Sequence, residues 1–310
     1  MRWAVVIFAM VMAVPAFGQG NTNVLKSLSV DRARKLVAAA SGHLLSFDGL
    51  TTLTPEVAEA LAKHDNLLAL NGLQTLTVET ANVLAKHSRA HLSLNGLTTL
   101  SPELAKELSK YKSHLWLKGL ASTTPEIADA IARSEGTLDL GLTSLTPEVA
   151  AALAKHRFWL TLDEVTALTP ESAEAIAKTQ GILELRGIKS LSPEVAAALA
   201  KHKSSLMLMG ITTLSPRTAA ALAKHRGGLH LDGIEELSAE AADALKNHEG
   251  YLGLDGLTAV TLRVAEALAN HEGTVRLNGL TSATAPVLEA LRANPDIVSW
   301  PMNLDTPGRP

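Results

Sequence analysis

The sequence has 310 residues, 46% hydrophobic and only 3% aromatic, with a formal net charge of −3 and no cysteine. Lack of cysteine excludes disulfide staples and lipoprotein attachment, so burial of Leu and Ala alone must hold the fold. A near-neutral balance without a basic run argues against charge-driven binding of nucleic acid or acidic lipid.

The chain opens Met1-Arg2, continues with apolar residues from Trp3 to Val14, and reaches Pro15-Ala16-Phe17-Gly18. A short positive end, an apolar core and a small-x-small site read as a secretory signal over 1–18. A membrane span needs roughly 20 apolar residues, so no integral membrane anchor is expected after cleavage. The reading is an exported protein, periplasmic or secreted. Residues 19–27 are polar and are expected to be flexible. Val30 to Ala40 has the pattern of a helix with no strand before it, and reads as a cap.

From there one unit recurs. Its anchor glycine runs from Gly49 to Gly279 in steps of 23, except for 24 between Gly72 and Gly96 and 22 between Gly119 and Gly141; Glu164 stands in for one glycine. Such a period marks stacked supersecondary units. Within each unit Leu-x-Leu alternates as a short strand, and the glycine permits the turn that leaves it. Thr/Ser-Pro-Glu starts a helix: a hydroxyl N-cap, proline in the first turn, then an acid at the positive helix end. It is intact, for example, at Thr54-Pro55-Glu56 and Ser192-Pro193-Glu194. About ten helical residues follow, too few to stand alone in water, so their Ala and Leu must be buried between neighbours. Ala-Lys-His closes the unit. A twelfth strand is expected at Val298-Ser299-Trp300 and a disordered tail at 303–310. Residues 28–302 therefore form one solenoid: a cap helix, eleven full repeats and a terminal strand.

A leucine-patterned strand, turn and short helix in about 23 residues resembles the leucine-rich repeat superfamily. The resemblance covers residues 28 to 300, with Gly-Leu (Gly72-Leu73, Gly256-Leu257) where common members carry a backbone-tying Asn or Cys. It implies an α/β right-handed solenoid, with a parallel sheet on one face and short helices on the other. It also implies a binding or scaffolding role. Strands about 4.8 Å apart would give a sheet on the order of 50 Å long.

Histidines share one phase at His64, His87, His156, His202, His225, His248 and His271, with Tyr111, Ser134, Thr179 and Asn294 as alternates. One ring per repeat gives a line, which does not converge as metal ligands must, so these read as helix C-terminal caps. Asp or Asn before the glycine (Asp48, Asn71, Asn95, Asp163, Asp232, Asp255) suits its own turn and falls short of a calcium site. No nucleophile, metal or phosphate motif is present, so no catalytic residue, metal or cofactor is assigned.

The residues between the strand leucines are expected to face solvent and are free to diverge. Two tryptophans fall in the outward columns, Trp116 and Trp159, near His91, His114, Asp139, Thr161 and Asp163. These seven residues are the candidate binding site. Exposed Trp suits a protein hot spot or a stacking surface for cell-wall glycan or other carbohydrate. The partner expected first is a protein, with carbohydrate as the alternative. Phe47 and Trp300 take leucine positions and read as core. Residues 137 to 165, with one deletion and one lost glycine, are expected to open first in hydrogen exchange.

Overall fold

A computed structural model of the chain describes residues 22–40, 44–86 and 91–298. The expected signal, the tail, His87 and Trp300 lie outside the described residues. Every Leu-x-Leu contributes a strand of two or three residues. The strands are β1 Leu45–Ser46, β2 Leu68–Ala69, β3 Leu92–Ser93, β4 Leu115–Leu117, β5 Leu138–Leu140, β6 Leu160–Thr161, β7 Leu183–Glu184, β8 Leu206–Met207, β9 Leu229–His230, β10 Leu252–Gly253, β11 Val275–Arg276 and β12 Ile297–Val298. All twelve pair in chain order in one parallel sheet. The register sets leucine on leucine, as in Leu68↔Leu92 and Leu206↔Leu229. Backbone bonds are regular: Leu92 N–H donates to the His114 carbonyl at 2.8 Å and Leu94 N–H to Trp116 at 2.9 Å.

Between strands lie α1 Val30–Ala39, α2 Pro55–Leu61, α3 Val78–Lys86, α4 Pro102–Leu108, α5 Pro125–Ile131, α6 Pro147–Leu153, α7 Pro170–Ile176, α8 Pro193–Leu199, α9 Pro216–Leu222, α10 Ala239–Leu245, α11 Leu262–Ala269 and α12 Ala285–Arg292. The caps work as the sequence indicates: Thr54 Oγ1 accepts from Val57 N–H at 3.4 Å and Ser192 Oγ from Val195 N–H at 3.3 Å. Most helices have seven residues, fewer than the ten expected, because the chain leaves the helix at the alanine before Lys-His. Leucines of strand and helix, with the helix alanines, form one aliphatic core along the stack, and Phe47 is buried in it.

The register corrects the last strand. Ile297 pairs with Val275, so the strand starts one residue before Val298. Residues 22–25 also depart from the expected flexible segment. Thr22–Val24 form a 3-10 turn beneath β1, with Thr22 Oγ1 donating to the Ser46 carbonyl at 2.5 Å. Residues 137 to 165 do not pair more loosely: β4 and β5 pair over three residues, where their neighbours pair over two.

The histidines do not cap their own helices; His156 and His202 meet the C-cap carbonyl of the helix before. His156, His202, His225, His248 and His271 are all buried, folded inward where each helix returns to its strand. The His202 and His225 rings stack 6.0 Å apart and 2° from parallel, and the column continues to His248 at 6.1 Å and His271 at 5.6 Å. Three of the rings tie coils together: His156 Nδ1 lies 3.2 Å from the Ala132 carbonyl, His202 Nδ1 3.2 Å from that of Ala177 and His248 Nε2 3.0 Å from that of Gly227, while His271 bonds within its own coil, to Gly273. Gly250 N–H donates to His248 Nδ1 at 3.2 Å, which requires a neutral ring with its proton on Nε2. Parallel rings point their nitrogens in parallel planes and cannot share one ion.

A second column has the same office. The Asp or Asn before each glycine does not serve its own turn; it accepts from the next coil. Asn71 N–H donates to Asp48 Oδ1 at 3.2 Å, Asn95 N–H to Asn71 Oδ1 at 3.1 Å, and Asn278 N–H to Asp255 Oδ1 at 3.0 Å. Ser93 Oγ also donates to Asn71 Oδ1 at 2.6 Å. Asn71→Ala leaves both donors without this acceptor, and should cost about 1–3 kcal/mol in urea unfolding. Asn71→Asp should keep most of that stability, since Asp48 fills the same role. Equal stability of the Ala and Asp variants would remove the ladder as a stabilising element.

Candidate functional site

The alternation of Leu-x-Leu sends the leucines to the core and one residue per coil to the sheet face. The seven expected residues separate there into two groups. On β3 and β4, the His91 and His114 rings meet edge to face at 4.2 Å, and Trp116 lies 6.1 Å from His91 and 6.5 Å from His114. Burial lowers the pKa of His91. Burial, and then the neighbouring His91, push that of His114 down to about 4. Both rings are therefore neutral at pH 7, and with half-buried Trp116 they form an uncharged aromatic patch.

The second group centres on a residue the sequence reading did not choose, Glu184. Trp159 Nε1–H donates to Glu184 Oε2 at 2.9 Å and Thr161 Oγ1 to the same oxygen at 3.2 Å. Arg186 Nε forms an ion pair with Glu184 Oε1 and stands 3.9 Å from Asp163 Oδ2. Burial raises the Glu184 pKa, helped by Asp163 and opposed by Arg186. Between the groups, Lys118 Nζ reaches Asp139 Oδ2 at 3.2 Å. The Asp139 pKa is nonetheless pushed up to about 6, chiefly by burial. Asp139, Thr161 and Glu184 were expected to face solvent, yet all three are buried. The broad sheet lets long side chains such as Trp159 and Arg186 lie across their shorter neighbours. No ring contact among the described residues joins Trp116 to Trp159, so the expected single patch is two.

A further cluster was missed. On β9 to β11, the His230 ring lies 4.8 Å from Tyr251, and the Arg276 guanidinium sits 5.5 Å from the Tyr251 centroid. Arg276 reaches Asp255 at 2.8 Å and Asp232 at 3.4 Å. Burial works to raise the Asp232 pKa, but hydrogen bonds from His230 and Asp255 and the charge of Arg276 together hold it low. Burial pushes Tyr251 up to about 12. The signal was present in the outward columns, but Asp232 and Arg276 are 44 residues apart and meet only because two coils separate them.

One strand per repeat, all parallel in chain order, with a buried leucine column and a side-chain ladder between coils, decides the architecture. The fold is a leucine-rich-repeat solenoid. No protein-family model and no curated protein matches the chain. Solved structures similar to the solenoid include an internalin from Listeria monocytogenes, 13% identical with a TM-score of 0.43, covering 84% of this chain and 87% of that one. A leucine-rich-repeat protein of Leptospira interrogans is 17% identical with a TM-score of 0.34, covering 87% and 91%. A second Listeria internalin is 16% identical with a TM-score of 0.35, covering 90% and 96%. The superpositions are loose, and the fold is assigned on the solenoid's own strand order and register.

Proposed function

We propose that this is an exported, non-catalytic binding protein that recognises a protein partner through the sheet face of its solenoid. The observation that carries the reading is a pair of anchor patches, Trp116 with its histidines and Tyr251 with Arg276, on one continuous sheet. They lie six strands apart, about 30 Å at the parallel-strand spacing. That span suits a standard protein interface of roughly 800 Å² per partner and exceeds what a short sugar bridges. Trp, Tyr and Arg are the residue types that most often anchor such interfaces. Strand leucines, helix alanines and anchor glycines repeat along the chain, while the face residues differ from coil to coil.

Capture from the envelope fraction of the source cells tests this. Trp116→Ala and Arg276→Ala should each weaken capture of the same protein by about tenfold, with unchanged far-UV circular dichroism. Trp159→Ala is the poorer probe, because it also removes a donor from buried Glu184. Full capture by both variants would sink the proposal. Loss on Trp116→Ala alone, with a glycan as the captured species, would favour the carbohydrate reading instead.

A further inference from the structure

A different edge of the solenoid, where the helices return to the strands, has a charge pattern unrelated to the sheet face. Before β6 to β9 the return segments read Lys155-His156-Arg157, Lys178-Thr179-Gln180, Lys201-His202-Lys203 and Lys224-His225-Arg226. The middle residue of each triplet is buried, and those on either side are exposed. Burying one residue therefore presents its two neighbours outward, coil after coil. Two of the cations are engaged, Lys155 with Asp129 and Lys201 with Glu174 at 2.8 Å. Arg157, Lys178, Lys203, Lys224 and Arg226 form no salt bridge among the described residues; Arg157 bonds only the neutral Gln180, at 3.3 Å, and Lys178 acts weakly on Glu174.

The ridge has ends. Glu135 occupies the outward position before it, and Glu249 and Glu272 occupy it after. At about 4.8 Å per coil the five cations fall within roughly 15 Å. A Debye length of about 8–10 Å merges such charges into one field. Composition conceals this ridge, because its cations are one or two per 23 residues and never form a run.

The same edge has one large apolar residue. The position before each strand's entry is Ser113, Gly136, Phe158, Gly181, Ser204, Gly227, Gly250 and Gly273 in successive coils. Phe158 breaks a column of Ser and Gly, is 46% exposed, and is the sole aromatic among the exposed large hydrophobics of the described residues. It sits beside Arg157 at the head of the ridge. A straight row of cations with an outward phenyl ring matches a flat anionic surface with an apolar interior. A single-stranded polymer would instead require successive rings for stacking.

We propose that Arg157, Phe158, Lys178, Lys203, Lys224 and Arg226 seat the solenoid edge-on upon an anionic lipid bilayer. The cations face the headgroups, Phe158 enters the acyl boundary, and the sheet face stays free. The seat is peripheral; no helix among the described residues is long and apolar enough to cross a membrane.

The test is co-sedimentation of the chain from residue 19 onward, which leaves every described contact in place and removes the apolar first 18 residues. The probes are vesicles of phosphatidylcholine alone, and of phosphatidylcholine with phosphatidylglycerol. Binding should require the anionic lipid and fall as salt rises. Each cation near such a surface is worth roughly fivefold in affinity, so Lys178→Gln with Lys203→Gln and Arg226→Gln should weaken binding about a hundredfold. Phe158→Ser, which installs the residue found at Ser113 and Ser204, should weaken it by about tenfold or more. Melting temperatures should not move. Absence of binding to the anionic vesicles, or equal binding to neutral ones, overturns the proposal. So does indifference of vesicle binding to the three glutamines, or to Phe158→Ser. If heparin binds and the glutamines abolish that while Phe158→Ser does nothing to either ligand, the ridge serves a soluble polyanion and the bilayer reading fails.

Discussion

Acidification from pH 7.5 to pH 5 should lower the melting temperature by several degrees, and His248→Asn should remove much of the loss. The main cause is the buried histidine column, joined by His91 and His114 on the sheet face. Burial lowers the pKa of His156, His202, His225 and His271. It pushes that of His248 down to about 4, with repulsion from His271 and His225 adding to it. Ring-to-ring repulsion would be the simplest reason for such shifts in a ladder, but burial is the larger cause throughout. The unfolded chain, with imidazoles near 6.5, binds more protons than the folded chain. Stability is thus full above that pH and declines as pH falls from about 6.5 toward the folded values. For His248 alone the loss at pH 5 is about 2 kcal/mol.

Asp139 acts in the opposite sense. Its folded pKa of about 6 lies above the unfolded value, so protonation on acidification favours the folded state, by about 1.4 kcal/mol at pH 5. Glu184, raised in the same direction, acts with it, but the five column histidines, joined by His91 and His114, outweigh the two carboxyls, and Asp139→Asn should steepen the decline. Asn is the right replacement for His248 because the chain uses it: Asn294 Nδ2 donates to the His271 carbonyl at 3.1 Å and its Oδ1 accepts from Asp296 N–H at 2.8 Å. Thermal melts across pH 4.5 to 8 decide the matter. A flat profile, or one unchanged by His248→Asn, would show that the column does not control acid stability.

Gly187→Ala should destabilise the protein by about 3 kcal/mol or more, whereas Glu164→Ala should be nearly neutral. The two residues occupy the same phase, so the contrast is a matter of neighbours. A Cβ on Gly187 would stand 2.4 Å from both the Asp163 and Val165 carbonyls. Those are backbone atoms of the preceding coil, and they cannot yield without shifting it. Before Glu164 the preceding turn reads Leu138-Asp139-Leu140-Gly141-Leu142, the copy one residue short. Asp163, one of the two residues whose carbonyls crowd Gly187, has no counterpart there, and Glu164 is exposed. The deletion and the lost glycine are therefore one compensated change. Inserting a glycine between Leu140 and Gly141 should destabilise the protein while Glu164 is present, and far less with Glu164→Gly. A double-mutant cycle in urea should give a coupling on the order of 2 kcal/mol. Additive costs would dismiss the compensation.

The sequence alone determined the period, the twelve-strand and short-helix succession, the caps and the aliphatic core. Those depend on local chemistry repeated at fixed phase: Leu-x-Leu can bury only one face, and Thr-Pro-Glu starts a helix wherever it stands. It also placed Trp116 and Trp159 in the outward columns. What a column does across coils was decided only by the stack. Asp48 and Asn71 looked like residues serving their own turns, and His156 and His202 like caps of their own helices. Their partners are 23 to 25 residues away, a distance that only the solenoid closes to hydrogen-bond length. The same holds for Glu184, drawn under Trp159 of the preceding coil, and for Arg276, which meets Asp232 across two coils. A repeat declares its own geometry in each copy. The contacts between copies depend on side chains that reach sideways, and the stacking distance alone selects which of them meet.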